Sequence, residues 1–439
     1  MLIKFSIRNF KSFRDKADLS MVASNYDKSR ENENLLDSNV FNITLLKSAV
    51  VYGANASGKS KMIEAFLFMR RMVLGSSKES QKGERINVDS FQLDVETKDK
   101  SSEFEIIFIH QNEMFRYGFE VDRKEIVAEW LYHKPKTKEI ELFYRDYQEF
   151  EIHERKFSKA AVLVKDKMIR ENALMISVAA QFNDTTSGKV LDWFQGFKII
   201  SALEPEGYKG YTMSCLKDES KRKRILEMLQ FADLGIADIR LQTLDAENLP
   251  DLIPDPVRNF IQRKSKEEKT EFVKVYTSHT IYNNNQAASE TASFDLDGDE
   301  SSGTNQFFAL TGPILDVIEN GFVLVVDELD SELHPNLVRK IVEIFNSKEF
   351  NPNNAQIIFN THDTNLLSTD IFRRDQIWFV EKDRFGVSRL YSLADLKEVR
   401  KEANFEDNYI IGRYGAIPII NDLDSLFLKP KTQNTHGRG

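Results

Sequence analysis

Eight consecutive residues have the types and the spacing that phosphate binding requires. They read Gly53-Ala54-Asn55-Ala56-Ser57-Gly58-Lys59-Ser60 and fit the pattern G-x-x-x-x-G-K-[ST]. The glycines let the backbone wrap around a phosphate, so that successive N–H groups and the positive end of the next helix face the anion. Lys59 is then expected to reach the β- and γ-phosphates, and the Ser60 hydroxyl to bind Mg²⁺. The pattern predicts a nucleoside triphosphate site; a chance Gly/Ser turn beside a solvated lysine is the alternative.

Two carboxylates, Asp327 and Glu328, follow a continuous apolar run at 322–326. Beside a phosphate loop, Asp327 is expected to complete the Mg²⁺ shell opposite Ser60. Glu328 is expected to hold and polarise the attacking water as a general base. Taken alone, such a pair also serves as a structural cap after a strand.

His362 follows a second apolar run, at 356–360. A histidine at this position can hydrogen-bond the γ-phosphate or the water and so respond to the presence of the phosphate. A helix-capping or core histidine fits the residues equally well. Continuous apolar runs that end in polar residues are typical of a parallel sheet buried on both faces, where ligands bind at the carboxyl ends of the strands.

A third stretch, Glu300-Ser301-Ser302-Gly303-Thr304, precedes a helical run at 307–317. Small hydroxyl and glycine residues that open a helix form another anion site, although an ordinary N-cap explains them as well. The chain has only one phosphate loop. A second helix end that could bind phosphate is therefore understandable if it binds the nucleotide of a neighbouring subunit.

Hydrophobic periodicity predicts the elements that position these residues. The phosphate loop lies between a buried strand at 48–52 and a helix at 61–69, and residues 25–40 are expected to form a loop that reaches over the nucleotide base. From about 160 to 270 the period is helical, with breaks at 204–210 and 245–255. Alternating residues predict further strands at 2–10, 17–21, 91–93, 104–109, 114–121, 125–132, 141–144, 272–277 and 291–296, mostly as an antiparallel meander.

The bulk properties favour a soluble, cytoplasmic protein without membrane partners. The chain has 439 residues, of which 41% are hydrophobic, but it has no apolar stretch of the roughly 18 residues that cross a bilayer. Cys215 is the single cysteine, which excludes an internal disulfide.

A net charge of −9 argues against a pervasive basic surface, and the basic stretches at 217–224 and 263–266 are interpreted as solvated helix faces. The acidic stretch at 295–299 is interpreted as a solvated loop without calcium-loop spacing.

The order of these motifs resembles the ABC-type ATPase heads of the SMC, RecF and OLD proteins, and above all the prokaryotic AAA-type ATP-binding proteins of abortive-infection and phage-defence systems. The resemblance is carried by Asn9-Phe10-Lys11-Ser12-Phe13, the phosphate loop, Ser301-Ser302-Gly303-Thr304, Asp327-Glu328, Asp330-Ser331-Glu332-Leu333-His334-Pro335, Thr361-His362-Asp363, Arg373-Arg374-Asp375-Gln376 and Gly412-Arg413-Tyr414-Gly415-Ala416.

The resemblance implies that two heads enclose two ATP molecules, with Ser301 and Gly303 on the γ-phosphate across the dimer. It also assigns Asp330 and Ser331 to a loop that crosses the dimer, and His362 to the switch position. Ser-Ser-Gly-Thr departs from the usual Leu-Ser-Gly-Gly-Gln signature, which puts the trans contacts in doubt. A glutamine that would link Mg²⁺ to the antiparallel β lobe is not evident. Gln92 is a candidate, and the alternative is that Gln92 occupies an ordinary surface position on a strand.

We therefore expect an α/β P-loop NTPase of the ABC-ATPase type, with a mixed central sheet, an antiparallel β lobe and a helical insertion. The expected divisions are 1–150 and 271–400 for the two parts of the head, 151–270 for a mainly helical insertion and 401–439 for an extension with a disordered tail. The predicted catalytic residues are Glu328, His362 and Lys59; the nucleotide-binding residues are Gly53, Asn55, Ala56, Ser57, Gly58, Lys59, Ser60, Lys61, Ser301 and Gly303; and the Mg²⁺ ligands are Ser60 and Asp327.

The expected activity is ATP hydrolysis by a homodimer or higher oligomer that senses infection and regulates a separate effector, such as a nuclease or a toxin. Only about forty residues follow the predicted sheet, too few for an OLD-type nuclease domain in the same chain. A RecF-like repair ATPase that binds duplex DNA is the alternative, and a nucleotide-binding scaffold with negligible turnover is a third hypothesis.

Overall fold

A computed structural model describes residues 1–38, 40–201, 205–244, 272–284, 288–397, 399 and 403–418. The predicted break at 245–255, the basic stretch at 263–266 and the tail at 429–439 lie outside these residues. The strands are β1 (Leu2–Arg8), β2 (Ala17–Ser20), β3 (Leu35–Ser38), β4 (Ile43–Leu46), β5 (Ser48–Tyr52), β6 (Ser102–His110), β7 (Glu113–Val121), β8 (Ile126–Lys134), β9 (Ile140–Asp146), β10 (Glu149–Ile152), β11 (Phe197–Ile200), β12 (Ile236–Leu244), β13 (Phe272–Tyr282), β14 (Ala288–Asp295), β15 (Val323–Val326), β16 (Gln356–Asn360), β17 (Ile377–Lys382) and β18 (Ser388–Ser392). The helices are α1 (Glu31–Asn34), α2 (Lys59–Gly75), α3 (Ser158–Lys165), α4 (Met175–Gln181), α5 (Thr185–Gly196), α6 (Pro205–Cys215), α7 (Glu219–Phe231), α8 (Ser302–Asn320), α9 (Pro335–Asn346) and α10 (Phe405–Ile410), with short 3₁₀ turns at Thr364–Leu366, Arg374–Gln376 and Leu393–Asp395.

The strand before the phosphate loop, β5, lies inside a six-stranded mixed sheet of order β11-β15-β16-β5-β17-β18. All neighbours in this sheet are parallel except β17 and β18. Every residue of β5, β15 and β16 is buried, because alternate side chains enter two different cores. The structure thus confirms the parallel sheet buried on both faces, and the carboxyl ends of β5, β15 and β16 meet at one edge.

The first core lies between this sheet, α2 and a seven-stranded antiparallel sheet of order β10-β9-β8-β7-β6-β1-β2. Phe5 of β1 stacks on Phe66 of α2 with ring centroids 3.8 Å apart. The predicted strands at 2–10 and 17–21 and the predicted antiparallel meander are therefore confirmed, as is an α/β fold with the phosphate loop between a strand and a helix.

The second core covers the other face of the six-stranded sheet and contains buried residues of α8 and α9. Pro313 interrupts α8, and it has no N–H to donate to the carbonyl of Ala309. The hydroxyl of Thr212 on α6 donates to that carbonyl at 2.8 Å and accepts from the N–H of Gly312 at 3.2 Å. The Thr212 side chain thus replaces the hydrogen bond that Pro313 cannot make in α8, the helix that begins within Ser301-Ser302-Gly303-Thr304.

Two local predictions are wrong. Residues 91–93 form a loop and no strand, since the N–H of Phe91 donates to the side chain of Asn9 at 3.2 Å. The predicted break at 204–210 is mostly helical, because α6 begins at Pro205, and a proline is tolerated at the first helical position, where its missing N–H has no partner to lose.

Residues 25–40 do not reach over the phosphate loop in the part that the structure describes. Asp27 instead accepts a hydrogen bond from the side chain of Arg374 at 3.2 Å, and Arg373 donates to the carbonyl of Ser29 at 2.7 Å. These contacts hold the segment beside the turn before β17, at the opposite end of β5 from the phosphate loop. For the described residues, the prediction of a cover over the base is therefore wrong.

Within 151–270, the region expected to be mainly helical, the described residues form α3 to α7 but also β11 and β12. β11 is an edge strand of the central sheet, parallel to β15, and β12 begins a three-stranded sheet with β13 and β14. The segment is therefore partly built into the head itself, and the proposed domain divisions stay a prediction.

The remaining surface and composition predictions can be compared with the described residues. No helix among them is long and apolar enough to cross a bilayer. Cys215 is buried and free, and burial raises the pKa of its thiol. On α7, Arg222 pairs with Glu219 at 2.8 Å and with Asp238 at 2.7 Å, as expected for a solvated, charge-balanced helix face.

Candidate functional site

The phosphate loop, residues 53–58, connects β5 to α2 and needs both of its glycines for steric reasons. A Cβ on Gly53 would lie 2.3 Å from the carbonyl oxygen of Val380. Gly58 has a φ of 119°, and a Cβ there would lie 2.5 Å from the hydroxyl of Ser388 and 2.8 Å from that of Ser12. Only glycine lets the loop pack this closely against β17, β18 and the segment after β1.

Lys59, the first residue of α2, folds back over the loop. It is 6% exposed, and its ammonium donates to the carbonyl of Gly53 at 2.8 Å and to that of Ala54 at 3.2 Å. Burial lowers the pKa of Lys59, while the nearby carboxylates of Glu328, Asp327 and Asp330 act in the opposite direction. A cation is therefore held beside the loop and within reach of the acids at the end of β15.

Asp327 and Glu328 follow β15 directly, at the same sheet edge as the phosphate loop. Glu328 has a φ of 54°, which is unusual for a residue with a side chain. The side chain of Asn360, at the end of β16, donates to the Asp327 carboxylate and accepts from the N–H of Glu328, both at 2.5 Å. The two acids that the sequence predicts as metal ligand and general base are thus fixed by the neighbouring strand.

His362 lies two residues beyond the end of β16. Its main-chain N–H donates to the carboxylate of Asp330 at 3.1 Å, and its side chain is exposed. The neighbouring N–H, of Thr361, points to the carbonyl of Val51 in β5 at 3.4 Å. These contacts place His362 between the end of β5 and the loop that follows Glu328.

A cavity of about 1230 Å³ brings most of the predicted residues together. Its lining includes Asn55, Ala56, Ser57, Gly58, Lys59, Ser60, Lys61, Glu328 and His362. Gly53 and Asp327 do not line the cavity, but each is next to a residue that does: the Gly53 carbonyl accepts from Lys59, and Asp327 precedes Glu328. A separate cavity of about 880 Å³ among α7, α8 and α9 contains none of the predicted residues.

The cavity of about 1230 Å³ beside the phosphate loop is also lined by residues to which the sequence assigned no role: Lys11, Ser12, Asp89, Ser90, Phe91, Leu93, Lys382 and Gly386. Lys11 pairs with Glu64 on α2, which also pairs with Lys61 at 2.7 Å. The lysines at 11, 59, 61 and 382 give the lining four cationic side chains, as an anionic ligand requires. Lys11 and Ser12 belong to the motif Asn9-Phe10-Lys11-Ser12-Phe13, which was the available signal. Within 89–93 the sequence offered only Gln92, and 382–386 carried no signal.

Two hydroxyl groups add to the anion-binding character of the loop. Among the residues that the structure describes, the side chains of Ser12 and Ser57 are buried without a hydrogen-bond partner, and both line the cavity. Buried polar groups normally have partners, so both hydroxyls retain unused hydrogen-bonding capacity at the wall of the cavity.

The oxygen ligands expected for Mg²⁺ fit this site. A serine hydroxyl and a carboxylate are hard oxygen ligands, and one oxygen of Asp327 stays free of the Asn360 amide. In the described parts of the chain, no group of three or more His, Cys, Asp or Glu side chains forms a cage for a metal ion. Mg²⁺ commonly keeps waters and takes phosphate oxygens alongside one or two carboxylates, which suits Ser60 and Asp327.

Ser301 and Gly303 are not among the residues that line this cavity. Ser301 is the N-cap of α8, and its hydroxyl accepts from the N–H of Thr304 at 3.1 Å. A Cβ on Gly303 would lie 2.7 Å from the carbonyl of Glu332. Both residues line a separate cavity of about 580 Å³ with Phe231, Ala232, Asp233, Leu234, Thr304, Glu332, Leu333, His334, Asn336, Leu337 and Lys340.

Two further candidates have ordinary surroundings. Gln92 lies on the cavity rim, but on an exposed loop and not on a strand, and its amide donates to the hydroxyl of Ser90 at 2.9 Å. In the acidic stretch, Asp295 pairs with Lys274, and Asp297 pairs with Lys209. The acidic stretch is therefore a charge-paired surface loop, in agreement with its interpretation from sequence.

Comparison with known proteins gives one family match. The model of the family described as "AAA domain, putative AbiEii toxin, Type IV TA system" matches residues 48–368, more than half of the chain. No curated protein matches the chain.

The chain is similar to solved structures, of which three are each 13% identical to it in sequence. An SMC head bound to the C-winged helix domain of ScpA has a TM-score of 0.42 and covers 89% of this chain and 97% of that one. The recombination mediator RecF-ATPrS of the RecFOR pathway has a TM-score of 0.35, with 89% and 98% covered. A dimeric ATP-binding cassette in a post-hydrolysis state, bound to ADP and Pi, has a TM-score of 0.29, with 89% and 98% covered.

Proposed function

The chain belongs to this family of AAA domains, and from that membership and the site we propose that it is an ATPase that senses and regulates a separate effector in anti-phage defence. The match also bears out the resemblance to ABC-type AAA ATPases, and hence nucleotide binding. The observation that carries the catalytic part is the single cavity that Lys59, Glu328 and His362 line together with the phosphate loop.

The proposed chemistry is attack of water on the γ-phosphorus of ATP. Glu328 takes the proton from the water as its oxygen bonds to phosphorus, and the bond from the γ-phosphorus to the bridging oxygen breaks, so that ADP leaves. Lys59 stabilises the charge on the β- and γ-phosphates, and His362 contacts the γ-phosphate. Mg²⁺, held by Ser60 and Asp327, would neutralise phosphate charge.

The position of Ser301 and Gly303 supports a homodimer in which each head completes the other's site. The hydroxyl of Ser301 and the N-terminal end of α8 favour an anion, yet they lie outside the cavity of their own phosphate loop. In a two-fold dimer the same pair of surfaces is used twice, so two nucleotides would be enclosed.

The effector part of the proposal is supported by the family description, which names a toxin of a type IV toxin–antitoxin system. A role beside a second protein, such as a nuclease or a toxin, agrees with that wording. For the RecF-like alternative, the basic side chains of α7 offer little support, because Arg222, Lys223 and Arg224 each pair with a carboxylate.

Replacement of the general base tests the catalytic part. Glu328→Gln should bind ATP as the unchanged protein does, lose at least about 100-fold in turnover and accumulate as an ATP-dependent dimer. Size-exclusion chromatography with light scattering, with and without ATP, measures the dimer, and phosphate release measures turnover. Turnover equal to that of the unchanged protein would remove Glu328 from the mechanism.

A mixing experiment tests the shared sites. Ser301→Asp keeps a good N-cap but places a negative charge at the expected γ-phosphate, whereas Ser301→Asn keeps the cap without the charge. Ser301→Asp and Lys59→Ala should each be inactive, but an equal mixture should recover about a quarter of the activity, because half of the dimers then contain one intact site. No recovery from the mixture, with dimers formed, would contradict sites shared between subunits.

The effector is tested with Glu328→Gln as bait and Lys59→Ala as the matched control, each co-expressed with the protein encoded beside it. A partner that binds one nucleotide state and is released in the other supports regulation of an effector. ATP-stimulated, salt-sensitive binding to duplex DNA, with no such partner, would favour the RecF-like alternative instead.

A further inference from the structure

Asn360 joins the two acids at the end of β15 through a single buried side chain. It is the last residue of β16 and is fully buried. Its amide nitrogen donates to Oδ1 of Asp327, and its amide oxygen accepts from the main-chain N–H of Glu328, both at 2.5 Å. Its own carbonyl accepts from the N–H of Leu329 at 3.2 Å. Three successive residues after β15 are thus bonded to Asn360.

This bonding matters because the backbone at Glu328 is in the left-handed region, with a φ of 54°. Residues with a Cβ persist in that region only where the surroundings hold them there. The hydrogen bonds to the N–H groups of Glu328 and Leu329 supply that restraint, and they set the direction in which the Glu328 side chain leaves the backbone. That side chain lines the cavity beside the phosphate loop.

The amide of Asn360 supplies the donor and the acceptor of these two side-chain contacts from two different atoms. A carboxylate at 360 would still accept from the N–H of Glu328, but it would have no donor for Asp327 and would place a second negative charge against it. An apolar side chain would remove the hydrogen-bond partner of the Glu328 N–H and of one oxygen of Asp327. An amide at 360 therefore suits a site where an acid and a strained backbone are held together.

We propose that Asn360 is a positioning residue, which orients Asp327 toward Mg²⁺ and Glu328 toward the attacking water. The inference rests on the proposed ATPase function, and it concerns a residue to which the sequence motifs gave no role. Residues that orient metal ligands typically change metal affinity or activity by about 10- to 100-fold when they are replaced.

The test compares Asn360→Asp with Asn351→Asp. Asn351 is also a buried asparagine whose amide donates to main-chain carbonyls, at 2.7 Å to Phe345 and 2.8 Å to Ala355, but neither of these partners lines the cavity. Both variants place a charge in a buried asparagine site, so both are expected to lower the denaturation midpoint. Only Asn360→Asp is expected to alter the dependence on Mg²⁺.

Two readouts separate the inference from the proposed function. The first is the Mg²⁺ concentration that half-saturates binding of a fluorescent ATP analogue, which Asn360→Asp should raise about 10-fold or more; the second is kcat, which should fall about 10- to 100-fold. In Asn351→Asp, the half-saturating Mg²⁺ concentration and the kcat calculated per folded molecule should both equal those of the unchanged protein. Asn360→Gln, which keeps the amide, and Asn360→Leu, which removes it without adding charge, show whether the amide or the charge is responsible.

The outcomes are distinct. If the unchanged protein hydrolyses ATP and Asn360→Asp shows neither shift, the positioning role is wrong and the proposed function stands. If the unchanged protein binds Mg²⁺ and ATP without turnover, the proposed hydrolysis fails, while a raised Mg²⁺ requirement in Asn360→Asp would still support the positioning of Asp327. Equal shifts in Asn360→Asp and Asn351→Asp would reduce the effect to general destabilisation and overturn the inference.

Discussion

The carboxylate of Asp330 accepts a hydrogen bond from the main-chain N–H of His362 at 3.1 Å. It thereby connects the loop after β15 to the segment that follows β16. The second oxygen of Asp330 is buried without a partner among the described residues. The position of His362 therefore depends on a side chain that the family resemblance assigns to the dimer contact.

Removal of this carboxylate should loosen His362 without emptying the nucleotide site. We expect Asp330→Ala to lower kcat about 10- to 100-fold, since small misplacements of reacting groups are costly, and to leave ATP affinity nearly unchanged. Steady-state kinetics and a direct binding measurement separate the two. Asp370→Ala, at an exposed aspartate, is the control, and equal kcat values in both variants would show that the contact to His362 has no role in turnover.

Lys59 should be the main source of phosphate affinity. Its ammonium is buried and has only two carbonyl partners in the structure, so an anion gains a desolvated, charge-assisted contact. We expect Lys59→Ala to weaken ATP binding by about 2–5 kcal/mol.

Isothermal titration calorimetry measures the loss of affinity, with the exposed Lys78→Ala as a control for the loss of one positive charge. ATP affinity that is the same in both variants would mean that the phosphate does not contact Lys59.

The hydroxyl of Thr212 should stabilise α8 at its proline. Thr212→Val removes the donor to the Ala309 carbonyl and the acceptor for the Gly312 N–H, and it leaves both groups buried. We expect the free energy of unfolding to fall by about 1–3 kcal/mol in urea denaturation. Thr212→Ser keeps the hydroxyl and should lose less than Thr212→Val; the reverse order would exclude this hydrogen bonding as the source of stability.

Asp27 should make the stability of the head depend on acid pH. Burial disfavours its charged form, but hydrogen bonds from Ser29 and Arg374 outweigh that effect and lower its pKa from 3.8 to about 2. Because the folded pKa is the lower one, the contribution is fully present above pH 3.8 and is lost as the pH falls through 2.

We expect Asp27→Asn to cost on the order of 1–2 kcal/mol at pH 7, and this difference from the unchanged protein should shrink below pH 4. Denaturant unfolding at several pH values measures it, with the exposed Asp370→Asn as control. A difference that does not change with pH would assign the cost to packing and not to the charge.

The sequence by itself determined the parts of the site that local chemistry specifies. Gly53 to Ser60 could be predicted because a phosphate loop needs its glycines, lysine and serine at fixed spacing between a strand and a helix. Asp327, Glu328 and His362 could be placed at one edge because buried parallel strands have a recognisable pattern and their carboxyl ends meet.

Only the tertiary structure decided which other segments reach the cavity. Lys11, the loop at 89–93 and Lys382 come from distant parts of the chain, while 25–40, which is long enough to cover the base, is held elsewhere by Arg373 and Arg374. The physical reason is that these contacts depend on the order of strands in the sheets and on how the antiparallel sheet packs on α2. The role of Asn360 is of the same kind, since it arises from the parallel pairing of β15 with β16 and not from any spacing along the chain.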